Sequence, residues 1–142
     1  MTHLFGLTIN IVLVLTSIFI HYEVLSRLSR VMPLLPFRPR ARIIVGVITA
    51  VIAHSAEICL FALGYQLSSY LGYGALVGNF EGTFSDYLYF SYASYTTVGF
   101  GDIFPEGGLR WLAGIEALTG FVLVTWTASY LFLEMSQNWR HD

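Results

Sequence analysis

Hydrophobic residues in this chain gather into long blocks. Three of them, Leu4–Tyr22, Ile43–Tyr65 and Trp111–Leu133, reach or approach the roughly 20 residues that carry a helix across a hydrocarbon core. Between the first two blocks lies an arginine- and proline-rich interval, 27–42. Between the last two lies a glycine-, serine- and tyrosine-rich interval that contains a short polar-aromatic stretch. The pattern predicts an all-α membrane protein with three transmembrane helices.

The first block invites reading as a cleaved signal peptide. It has no arginine or lysine before it and no small-residue cleavage site after it, and Glu23 and Arg27 follow directly. The expectation is a retained helix within 1–26. Arg27, Arg30, Arg38, Arg40 and Arg42 all fall in the interval that follows, which is therefore expected in the cytoplasm. That places the N-terminus outside, the 66–108 region outside, and the tail 135–142 with Arg140 inside. Pro33, Pro36 and Pro39 predict a stiff, non-helical loop. Its arginines set topology and can also hold anionic lipid headgroups.

Composition agrees. Only 11% of the residues are charged against 56% apolar, where a soluble domain has about a quarter charged. A net charge of −2 gives no basis for a nucleic-acid partner. The single cysteine, Cys59, excludes an intrachain disulfide. No nucleophile, metal-ligand cluster or phosphate-binding loop supports an enzyme.

Thr83 and Asp86 stand at the spacing of a capping box, so a short helix is expected from Phe84 to about Thr96. Directly after it comes Thr96-Thr97-Val98-Gly99-Phe100-Gly101-Asp102. A loop that presents successive carbonyls to one axis needs alternate residues in left-handed backbone space, which glycine enters at little cost. Gly99 and Gly101 have that alternation. The run Thr97–Asp102 resembles the selectivity filter of potassium channels, a family the general theory of carbonyl-based selectivity is built on.

The resemblance covers residues 43–134 and implies an outer helix 43–65, a turret 66–83, a re-entrant pore helix 84–96, a filter 97–102 and an inner helix 109–134. It implies passive conduction by a homotetramer. K⁺ would be held by the carbonyls of Thr97, Val98, Gly99 and Phe100 with the Thr97 hydroxyl, and Gly101 and Asp102 would complete the filter. No organic cofactor is implied. Asp102 and Glu106 would surround the outer mouth, and Asp102 could also anchor the filter to the pore helix; Glu81, near the same mouth, reads as a solvated loop residue. Tyr89, Phe90, Tyr92 and Thr96 are expected to support the filter, whereas Tyr87 fits an interfacial aromatic belt. Gly120 matches a hinge in the family's inner helix, and close helix packing explains it equally. Ala93 stands where some members have a glutamate that braces the filter. No regular arginine series marks the first helix as a voltage sensor, and the expectation is a bare pore.

His54 and Glu57 share a face of the second block, and Glu116 lies in the third. They read either as a proton-sensitive group or as a neutral interhelical hydrogen bond. A metal site made of the three lacks further ligands at any suggestive spacing. A weakly selective cation pore, a subunit that needs partners, and a membrane metal sensor or enzyme using His54 and Glu57 are the competing functions.

Overall fold

The computed structural model describes residues 2–36 and 38–138. The described residues form four α-helices and one small ribbon: α1 (Thr2–Val31), α2 (Pro39–Tyr70), β1 (Gly74–Gly78), α3 (Phe84–Tyr95), β2 (Ile103–Gly107) and α4 (Leu109–Asn138). Three of the helices contain membrane-length apolar spans, Gly6–Leu34, Arg40–Tyr70 and Leu109–Ser136. Their outward faces carry Leu15, Phe19, Ile52, Leu63, Leu118, Phe121 and Phe132, all exposed. A surface of this kind requires an apolar solvent or partner, and the protein is a multi-pass membrane protein.

The helices outrun the hydrophobic blocks. α1 continues to Val31 and passes through a 3-10 turn, Met32–Leu34, and α2 starts at Pro39. The expected loop 27–42 is therefore mostly helical, and only a few residues link α1 to α2. Pro39 sits at the first helical position, where its missing N–H costs nothing and its fixed φ suits the helix. Hydrophobicity marks the lipid boundary, while leucine and arginine propagate a helix beyond it. Likewise α2 runs to Tyr70 and takes the first residues of the expected turret, and α4 runs to Asn138. Residues 139–142, including Arg140, lie outside the described residues.

The structure also departs from an all-helical reading. β1 and β2 pair antiparallel, with Gly74 opposite Gly107 and Gly78 opposite Ile103. The turret and the segment after residue 102 are thus one ribbon. Asn79 N–H extends the pairing to the Asp102 carbonyl at 2.9 Å.

Side chains from all four helices and the ribbon meet in one core. Leu13 of α1, Phe61 and Tyr65 of α2, Tyr87, Phe90 and Tyr95 of α3, and Leu109 and Leu112 of α4 are buried together with Leu76 and Ile103. α3 is too short to cross a membrane and lies packed against α2 and α4. This packing fixes the position of the loop that leaves its C-terminus.

Candidate ion-conduction site

The loop 96–102 is held at its start by α3. That helix begins as its sequence predicts: the Asp86 N–H donates to Thr83 Oγ1 and the Thr83 N–H to Asp86 Oδ2, closing the capping box. The Glu81 N–H donates to the same carboxylate at 3.0 Å. Partial desolvation pushes the Asp86 carboxyl up, but the bonds from Thr83, Glu81 and Gly82 outweigh it and hold the group below the usual carboxylate range.

At the other end Thr96 caps the helix, with its hydroxyl bonded to the Tyr92 carbonyl at 2.6 Å. The Thr97 N–H then reaches the Ser94 carbonyl at 2.9 Å, and the Gly99 N–H reaches the Ala93 carbonyl at 3.0 Å. Beyond the helix, every second residue is left-handed: Thr97 at φ +60°, Gly99 at +55° and Gly101 at +82°. Thr97 is the only non-glycine in that region among the described residues. Left-handed backbone is rare for a β-branched residue, and it persists where the surroundings impose it.

The aromatic residues take distinct roles. The Tyr89 hydroxyl donates to Asp102 Oδ2 at 3.0 Å, and its ring stacks on Phe100 with centroids 6.0 Å apart. Partial desolvation and the Asp102 carboxylate push the Tyr89 phenol up. Tyr92 bonds Ser55 of α2 at 3.0 Å. Phe90 is buried edge-to-face on Tyr65, so it helps to seat α3 on α2 and lies deeper than the expected cuff. Tyr87 is buried edge-to-face against Phe80, so its ring packs on protein. Behind the loop a cavity of about 200 Å³ is lined by Tyr89, Ala93, Phe100 and Asp102, among others. The small side chain of Ala93 contributes to that space.

Gly120 faces the end of α3. A Cβ there would collide with the Tyr95 carbonyl oxygen and press on the Tyr95 ring. The glycine lets α4 approach the residue that precedes the loop, which is close packing of the kind small residues permit.

His54, Glu57 and Glu116 belong to two separate clusters. Glu116 is buried with Tyr65, whose hydroxyl lies 2.5 Å from Oε2, and with Ser91, whose hydroxyl lies 2.5 Å from Oε1. Ser91 Oγ is also 2.8 Å from the Ile58 carbonyl. His54 and Glu57 do meet, Nδ1 to Oε2 at 3.2 Å, but Glu116 is not with them. Their third partner is His21, whose Nδ1 lies 3.0 Å from Glu57 Oε1. Tyr95 bonds the same carboxylate through its hydroxyl. Thr127 of α4 touches both rings, 3.1 Å from His54 Nε2 and 3.3 Å from His21 Nε2. His21 escaped the sequence reading, although the rule that singles out His54 and Glu57, an ionisable residue inside an apolar span, applies to it equally.

Residues 48–137 match a family model described as an ion channel. That is well over half of the chain, and the protein belongs to this ion-channel family. The match takes in most of α2, the ribbon, α3, the loop and nearly all of α4, and leaves α1 outside. No curated protein and no solved structure matches the chain.

Proposed function

We propose that the protein is a potassium-selective channel that conducts K⁺ passively through a homotetrameric pore. The observation that carries this reading is the alternation of left-handed residues at Thr97, Gly99 and Gly101. Successive peptide planes then turn the carbonyls of Thr97, Val98, Gly99 and Phe100 to a common side, as replacement of a hydration shell requires. One chain supplies one such strand, so four copies are needed around the axis.

The half-helix α3 ends at the loop, and its carbonyl end favours a cation there. Asp102 and Glu106 from each copy raise the local cation concentration at the mouth. The arginines at the α1–α2 junction place that end in the cytoplasm, with the N-terminus and the ribbon outside; anionic lipid headgroups are their partners. In this assembly the Phe100 ring, stacked on Tyr89, would lie away from the axis.

The test is K⁺ against Na⁺ flux through the purified protein in liposomes, with Ba²⁺ as blocker. Selective, Ba²⁺-sensitive K⁺ flux is the expected result. Flux that does not separate K⁺ from Na⁺ overturns selectivity and makes the protein a general cation pore, with the cavity beside Ala93 as the first place to look for a slack filter.

A further inference from the structure

Beside the loop, His21, His54, Glu57, Tyr95 and Thr127 form a polar ring that conduction does not use. It draws on all four helices and lies among apolar side chains. His21 and Glu57 are 1% and 0% exposed, while His54 at 16% leaves an opening to the surroundings.

The arrangement is two-sided. On one side, Nδ1 of each histidine points at the Glu57 carboxylate, at 3.0 and 3.2 Å. The Tyr95 oxygen joins this side, against Glu57 and 2.9 Å from His54 Nδ1. On the other side, Nε2 of both histidines faces the one hydroxyl of Thr127. A threonine oxygen accepts two hydrogen bonds and donates one.

Counting protons separates the possible states. With both imidazoles neutral and protonated at Nδ1, Glu57 is satisfied, but two bare Nε2 atoms compete for the single Thr127 proton. With both protonated at Nε2, Thr127 accepts from both and is satisfied. Two bare Nδ1 lone pairs then face a carboxylate, a repulsive arrangement unless a cation stands between them. A mixed-tautomer ring closes only if Glu57 carries a proton: Glu57 donates to Tyr95, Tyr95 to His54 Nδ1, His54 Nε2–H to Thr127, Thr127 to His21 Nε2, and His21 Nδ1–H back to Glu57. With Glu57 ionised, a metal ion on that side satisfies both neutral imidazoles and the carboxylate.

We infer that His21 Nδ1, His54 Nδ1 and Glu57 form a binding site for a divalent transition metal of the zinc class, with the Tyr95 hydroxyl bonded to the Glu57 carboxylate. The donor atoms of His21, His54 and Glu57 lie within 4.8 Å of one another. Zinc bonds of about 2.0–2.1 Å at tetrahedral angles need donors about 3.3 Å apart, close to the two histidine–carboxylate separations. Imidazole and carboxylate donors suit zinc, and three protein ligands leave the fourth tetrahedral position to water. Thr127 does what outer partners of metal-bound histidines do: it accepts the far N–H of both and fixes their tautomer. An ion here ties α1 to α2 and, through the Glu57–Tyr95 hydrogen bond, reaches the last residue of α3, directly before the loop. The site stands whichever ion the pore passes.

Co²⁺ reports such a site through the visible absorption of its tetrahedral complexes. The full chain, purified without a histidine tag and stripped with chelator, is titrated with Co²⁺ and then displaced with Zn²⁺. A His3→Gln, His141→Gln background removes the other two histidines. One Co²⁺ per chain with tetrahedral bands, displaced by Zn²⁺, is expected. His21→Gln keeps a polar side chain of related size and should abolish the bands, and Thr127→Val should weaken binding about tenfold to a hundredfold. Circular dichroism confirms that each variant folds. Absence of stoichiometric binding, or binding unchanged by His21→Gln in a folded protein, overturns the assignment and leaves a ring closed by one extra proton.

Discussion

The Tyr89 hydroxyl donates to the Asp102 carboxylate across 3.0 Å, joining α3 to the residue that ends the candidate filter. The same ring stacks on Phe100. Tyr89→Phe keeps the stack and removes the bond, so it isolates the polar tie. A net hydrogen bond contributes about 1 kcal/mol, and here it acts on the shape of the loop more than on the fold. The expected outcome is a thermal midpoint within a few degrees of wild type and a lower K⁺/Na⁺ flux ratio, measured in liposomes.

Within one chain, Gly99 and Gly101 have nothing within 4 Å of where a Cβ would stand, so the chain itself penalises substitution there through backbone conformation. Alanine in left-handed space costs roughly 1–2 kcal/mol per residue. Gly99→Ala should abolish selective K⁺ flux. D-alanine at the same position, introduced by semisynthesis, prefers positive φ and should preserve it. Equal loss with both enantiomers would show that the methyl group itself is at fault.

Gly120 and Gly114 offer a paired comparison on one helix. Gly120→Ala drives a methyl into the Tyr95 carbonyl, and overpacking of this kind costs about 1–3 kcal/mol. Gly114 has open space around it, and Gly114→Ala should be neutral or stabilising through helix propensity. Thermal unfolding in detergent should separate the two. A hinge without packing constraint at Gly120 predicts no such difference.

Glu116 has a donor problem with a definite solution. Ser91 has one proton for two acceptors, the Ile58 carbonyl and Glu116 Oε1. A Glu116 carboxyl that carries its own proton donates to Ser91 and still accepts from Tyr65 through Oε2. Glutamine has the same pattern, an amide donor and a carbonyl acceptor. Glu116→Gln should therefore stay within about 1 kcal/mol of wild type. Glu116→Ala removes the acceptor of the buried Tyr65 hydroxyl and leaves a cavity, while Ser91 keeps the Ile58 carbonyl; it should cost about 2–4 kcal/mol, read from the loss of thermal stability.

The capping box of α3 gives a pH dependence. Asp86 titrates below the usual carboxylate range because Thr83, Glu81 and Gly82 bond its charged form. A depressed carboxylate contributes stability above its ordinary value and loses it as pH falls through the lowered one. The stability difference between wild type and Asp86→Asn should be constant near neutral pH and shrink in acid. Thr83→Ala removes the reciprocal bond and should cost about 1 kcal/mol at neutral pH.

What the sequence disclosed was local. The capping box, the helix it opens and the alternating glycines each lie within a few residues, and their chemistry needs no knowledge of the rest of the chain. The ribbon was less visible because its strands are separated by α3 and the loop. The short apolar run Gly74-Ala75-Leu76-Val77-Gly78, bounded by glycines, was its one strand-like signal. His21 joins Glu57 across 36 residues, a meeting created by the packing of α1 on α2. Glu116 was grouped with His54 on residue type alone, and helix packing turned it toward Tyr65 and Ser91 instead. Thr97 in left-handed space follows from the hydrogen bonds around it, which residue type does not reveal.

The pairing of β1 with β2 has a mechanical consequence. Residues 79–102 leave and return at the same place, so α3 and the loop hang as a cassette from a closed clasp. Pulling α2 and α4 apart loads the clasp first and cannot stretch the loop between its ends. Force from the long helices reaches the loop through side contacts of α3, among them Gly120 on Tyr95, Ser91 on Ile58 and Glu116, and Tyr92 on Ser55. The loop is thus insulated from axial tension and open to lateral pressure.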